Sequence, residues 1–145
     1  MIGGEPKPGH VLRYVYDWST PGEAASPLAE KERPAVVILT VRRAADRILV
    51  RVAPITHRPP GDASRALEIP ARTKARLGLD GERSWVILDH ANEFAWPGPD
   101  LRPVPGRSPT TIWYGPLPPA FYEALKRRLI ELLRAERVRA RLRGE

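Results

Sequence analysis

Four residues combine side-chain type and position in a way suited to work on a charged phosphate. Arg33 stands where a polar stretch meets an apolar run, so a strand can hold its stem while its tip reaches solvent. A planar guanidinium offers a fork of donors that matches two phosphate oxygens at once. The other reading of Arg33 is a charge flanking a strand to discourage aggregation. Thr56 ends the segment Val50 to Ile55, and its hydroxyl can donate to an anion or cap the turn before Pro59-Pro60. His57 follows it. Histidine titrates at about pH 6.5, so it can relay a proton or contact a phosphate, or simply occupy an exposed turn. Asp89 closes the apolar run Val86-Ile87-Leu88, where a carboxylate is either a functional group or a solubilising strand end.

Other chemistries have little to work with. The chain has no cysteine, which removes thiol nucleophiles, disulfides and cysteine-held zinc together. Its three histidines are isolated in sequence and carry no His/Asp cluster. Any reaction here is therefore expected to need neither a metal nor another cofactor.

The charge points to an anionic partner. Net charge is +7, and the pI is about 10.4, a balance that favours nucleic acid. Arginine far outnumbers lysine, so part of this excess reflects a GC-rich coding bias. Arg42, Arg43, Arg47, Arg51, Arg58, Arg65, Arg72 and Lys74 fall around expected hairpins and turns. Of these, Arg43, Arg51, Arg58 and Arg65 are candidate nucleic-acid contacts. Trp18, Trp96 and Trp113 can stack on splayed bases or pack in the core, with Trp18 the candidate for stacking.

Elements able to position these groups follow from the hydrophobic pattern. Val11 to Trp18 reads as a strand, and Ser19 to Glu32 as a long loop. Pro34 to Val41 is a continuous apolar run expected to be buried on both faces. It pairs in a hairpin with Arg47 to Ile55. A short strand at Ala66 to Ile69 is followed by one or two helical turns from Pro70 to Leu77, stopped at Gly78. Ser84 to His90 reads as one strand, Trp96 to Pro109 as loop, and Thr110 to Gly115 as a last short strand. After Leu117-Pro118-Pro119, Phe121, Leu125, Leu129 and Leu132-Leu133 form the stripe of the one long helix. The arginine-dense end is read as its continuation. The expected class is mainly β (α+β), a small barrel or coiled sheet capped by a helix.

Four segments carry a resemblance to a known family. Pro8-Gly9-His10-Val11 resembles the opening Gly-Asp-Ile/Val strand of PemK/MazF toxins. Glu32-Arg33-Pro34-Ala35-Val36-Val37 is similar to that family's Arg-Pro-x-x-Val, and Ala53-Pro54-Ile55-Thr56 to its threonine-bearing strand end. Trp85 to His90 resembles a strand usually ending Asp-Gln. The likeness spans roughly residues 8 to 134, and it rests on order and spacing more than on any one motif.

That resemblance implies an SH3-like barrel of short antiparallel strands with a long C-terminal helix. The corresponding division is a flexible stretch at 1–8, a toxin domain at 9–134 and a basic helical extension at 135–145. It also implies a homodimeric endoribonuclease that cleaves single-stranded RNA through the 2′-hydroxyl, paired with an antitoxin protein. Arg33 and Thr56 would be catalytic and Asp89 the base; His57 stands where the family commonly has a serine or other small residue, and its auxiliary role is read from histidine chemistry alone. The chain departs from the family at Lys31-Glu32, which sets a carboxylate beside Arg33, at His90 in place of glutamine, and at Ile87, where one branch has arginine. A catalytically inactive binding module for RNA or protein is the alternative on the same barrel. Gyrase inhibitors share this fold but act through an apolar C-terminus, unlike Arg-Leu-Arg-Gly-Glu here. No apolar stretch approaches the roughly 20 residues of a membrane span, so a cytoplasmic location is expected.

Overall fold

Three adjacent antiparallel strands form the centre of the structure, a computed structural model describing residues 4–19, 29–135 and 137–143. Strand β1 (His10–Asp17) pairs with β2 (Glu30–Arg42), setting Tyr14 opposite Arg33 and Asp17 opposite Glu30. Strand β2 turns through Ala44–Asp46 into β3 (Ile48–Thr56). Residues 20–28, with Pro21-Gly22-Glu23 of the expected long loop, lie outside the described residues.

Strand β3 is shared between two partners. Strand β5 (Trp85–Ile87) takes Ile55 and Thr56, while β6 (His90–Ala95) takes Leu49 to Val52. Strand β4 (Ala66–Glu68) adds to β5, and β7 (Trp113–Pro116) adds to β1. All belong to one eight-stranded sheet, and the described residues are mainly β with two α-helices. Among the described residues no ladder joins β7 back to β4.

Alternation along β1, β2 and β3 sends side chains into two cores. On one face Val11, Val36, Ala53 and Ile55 pack with Leu125 and Leu132 of helix α2 (Pro119–Arg134). On the other, Leu12, Tyr14, Tyr16, Val37 and Val52 pack with Phe94 and Ile112. Each fully buried leucine or valine contributes about 1.5–3 kcal/mol. Gly9 lets β1 start beneath α2: its φ is +89°, and a Cβ there would lie 3.0 Å from the Tyr122 ring. Helix α1 (Ala71–Leu77) ends at Gly78 in the left-handed conformation, as the sequence predicts. Among the described residues no helix is long and apolar enough to cross a membrane.

Several expectations need correction. Two-sided burial of the apolar run holds for Ala35 to Val37 only, since Leu39 is 43% exposed. The stripe on α2 ends at Leu132, because Leu133 lies on the solvent side. Residues 84–90 are not one strand: β5 stops at Ile87, Leu88 donates its N–H to Arg65 O, and β6 starts at His90. The break puts Asp89 at a corner. The helical extension is absent too. Helix α2 ends at Arg134, and β8 (Arg139–Leu142) runs parallel to β6. Glu5 bonds to Arg42 at 2.7 and 2.8 Å and Pro6 is buried, so the lead-in is tied at those two points.

Candidate functional site

The ends of β2 and β3, the Asp89 corner and the segment entering β8 surround a cleft of about 1070 Å³. Strand alternation decides what β2 contributes. Lys31 and Arg33 line the cleft, whereas Glu32 between them is held by Arg13 at 2.7 Å. The carboxylate adjacent in sequence is thus drawn away from the arginine.

Arg33 is fixed without a carboxylate partner among the described residues. Its Nη1 donates to Ile55 O at 3.3 Å, and its Cζ lies 5.2 Å from the Trp18 ring centroid. Its Nε is buried and unbonded. Burial pushes the guanidinium below its ordinary value, with Tyr16 opposing the shift. The result is a rigid, under-neutralised cation facing the cleft.

Thr56 takes the turn-capping role expected of it. As the last residue of β3 it accepts the Arg58 N–H on Oγ1 at 3.1 Å, which leaves the hydroxyl proton for a ligand. His57 lines the cleft but turns Nε2 to Asp80 Oδ2 at 2.7 Å. Lys74, 4% exposed, bonds the other Asp80 oxygen and Ser84 Oγ, each at 2.6 Å, and also Glu82 O. Burial would raise the Asp80 carboxyl, but Lys74, the Glu82 N–H and His57 hold it below its ordinary value. This cluster ties the loop after β3 to the turn after α1.

Ligand atoms of His57, Asp80 and Glu82 all lie within 4.8 Å of one another, a grouping their sequence spacing hides. It could hold a metal ion and corrects the expectation of isolated histidines, although Lys74 already neutralises Asp80.

Asp89 lines the cleft with Oδ2 3.0 Å from Arg65 Nη1. Next to it, His90 is a supporting residue. Its Nε2 bonds to Ser19 O at 3.0 Å and its Nδ1 to the Tyr16 hydroxyl at 2.6 Å. A carbonyl only accepts, so Nε2 carries the proton and, in the neutral ring, Tyr16 donates to Nδ1. Burial raises the Tyr16 hydroxyl well above its ordinary value, which keeps it a donor.

Of the sequence-predicted set, Arg33, Thr56, His57, Asp89, Trp18, Arg58 and Arg65 share the cleft. Arg43 and Arg51 do not line it: Arg43 borders the β2–β3 turn, and Arg51 pairs with Glu93 at 2.7 Å. Trp96 and Trp113 stack on each other at 5.7 Å against the second core. Sequence reading missed Lys31, His90, Arg137 and Arg139. The two arginines were hidden by the assumed helix, although 137–143 alternates Arg with Val, Ala and Leu, the period of a strand.

Among the described residues six lysine and arginine side chains line the cleft, and Asp89 supplies its one carboxylate. The chain matches no protein-family model, no curated protein and no solved structure. What the cleft can do must therefore be read from its own groups. It can gather phosphates, hold two of their oxygens with a forked donor and a hydroxyl, and offer one carboxylate to a proton.

Proposed function

We propose that the chain is an endoribonuclease of the PemK/MazF type, built on an SH3-like barrel and cleaving single-stranded RNA without a metal. The observation that carries this is convergence: Arg33, Thr56 and Asp89, distant in sequence, line one cation-rich cleft. Arg33 and Thr56 hold the non-bridging oxygens of the scissile phosphate. The Asp89 carboxylate takes the proton of the 2′-hydroxyl, whose oxygen then bonds to phosphorus. The bond from phosphorus to the 5′-oxygen breaks while the Arg33 guanidinium stabilises the charged phosphorane. The proton taken by Asp89 returns through water to the leaving oxygen, so the ends are a 2′,3′-cyclic phosphate and a 5′-hydroxyl and the carboxylate is restored.

His57 acts in this reading by holding the loop through Asp80 rather than by moving protons. The partners are single-stranded RNA, a second copy of the chain and an antitoxin whose segment would compete for the cleft. The test is direct end chemistry: RNA cut by the protein must accept phosphate from a polynucleotide kinase without prior dephosphorylation. A deoxy-substituted strand, lacking the nucleophile, must stay intact.

A second reading, a non-catalytic RNA-binding module, is favoured by the ion pair between Asp89 and Arg65. That contact commits one of the two Asp89 oxygens to Arg65. Tight RNA binding with no cuts would support it.

A further inference from the structure

We propose that β8 forms a working wall of the cleft, with Arg139 binding a phosphate that flanks the one held at Arg33; this rests on the RNA-binding reading above. Residues 137–143 place four arginines at alternate positions, and within β8 alternation puts Arg139 and Arg141 on one face. Val138, in between, packs against the α2 core.

Three of the four are occupied. Arg137 pairs with Asp62 at 2.7 Å. Arg141 reaches the fully buried Asp17 at 3.2 Å, and Arg143 reaches Asp17, Glu30 and Asp100 at 2.9, 2.6 and 3.2 Å. Arg139 differs. It is exposed, lines the cleft, and no carboxylate among the described residues pairs with it.

Its backbone is nevertheless well held. Arg139 stands opposite His90 in the parallel ladder, its N–H donates to Asp89 O at 3.0 Å, and farther along Arg143 N donates to Glu93 O at 2.7 Å. The register thus fixes an available guanidinium beside the Asp89 corner, on an arm anchored by buried ion pairs. A free cation among like charges is repelled by them, and a bound phosphate relieves that repulsion.

The experiment measures binding of a fluorescent 2′-O-methyl RNA oligonucleotide, which the chain cannot cleave, across a salt series. Wild type, Arg139→Ala, Arg139→Lys and Arg72→Ala are compared; Arg72 is exposed on α1 and outside the cleft. Arg139→Ala is expected to weaken binding about three- to tenfold at low salt and to flatten the slope of log K against log salt by about 0.7, one single-strand phosphate contact. Arg139→Lys should keep the slope, Arg72→Ala should match wild type, and thermal midpoints should not move. If wild type binds and cleaves RNA but Arg139→Ala leaves affinity and slope unchanged, or Arg72→Ala changes them equally, the role of Arg139 is overturned while the nuclease reading stands. If wild type binds no RNA at low salt, both are overturned.

Discussion

Arg65 Nη1 stands 3.0 Å from Asp89 Oδ2, and among the described residues nothing bonds Oδ1. One oxygen is committed to structure, and Asp89 as a residue lines the cleft. Asp89→Asn keeps the size of the side chain and its contact with Arg65 but removes the proton acceptor. Cleavage should fall by about 10²- to 10⁴-fold with RNA affinity kept, read by single-turnover kinetics beside a binding titration. Equal cleavage by Asp89→Asn would remove the carboxylate from the chemistry.

Arg33 is held by a backbone carbonyl and an indole face, with one buried nitrogen unbonded. Truncating it leaves no orphaned partner of opposite charge. Arg33→Ala should therefore lower the cleavage rate by about 10²- to 10³-fold while the thermal midpoint stays near wild type. Arg33→Lys should not restore the rate, because an ammonium cannot fork two oxygens.

His57 separates catalysis from positioning. With Nε2 on Asp80, it secures the loop that follows Thr56. His57→Gln should leave the pH dependence of cleavage unchanged and lower its rate modestly. A lost alkaline or acid limb in the pH profile of that variant would instead make His57 a proton carrier.

Asp17 anchors the arm. Burial alone would raise its carboxyl, but two hydrogen bonds from Ser19, together with Arg143 and Arg141, hold it below its ordinary value. A depressed carboxyl stabilises the fold above its unfolded pKa, about 3.9, and that stability is lost as pH falls through the lower folded value. Asp17→Asn should cost about 3–5 kcal/mol in neutral-pH denaturation, and the difference from wild type should shrink under acid conditions below about pH 4.

The sequence made the β1–β3 meander, α1 with its Gly78 stop and the start of α2 legible, because period and capping residues agree there. It brought Arg33, Thr56 and Asp89 forward by type and position, though not the corner that exposes Asp89. That corner lies where the chain passes from β5, paired with Ile55 and Thr56, to β6, paired with Leu49 to Val52, a tertiary switch with no local signature. Strand β6 was missed because buried Asn92 interrupts its apolar pattern, and Asn92 is satisfied only through the Asp17 backbone. The arm was legible and misread: charge density obscured its two-residue period.

Metal-free RNA cleavage at the Arg33 cleft is open to one experiment. Purified protein should be incubated with a long unstructured RNA in excess EDTA, alongside Arg33→Ala and Thr56→Ala. Wild type should make sequence-selective cuts with 5′-hydroxyl ends, and both variants should lose them. Intact RNA with wild type, or cutting that persists undiminished in Arg33→Ala, would exclude cleavage at this cleft.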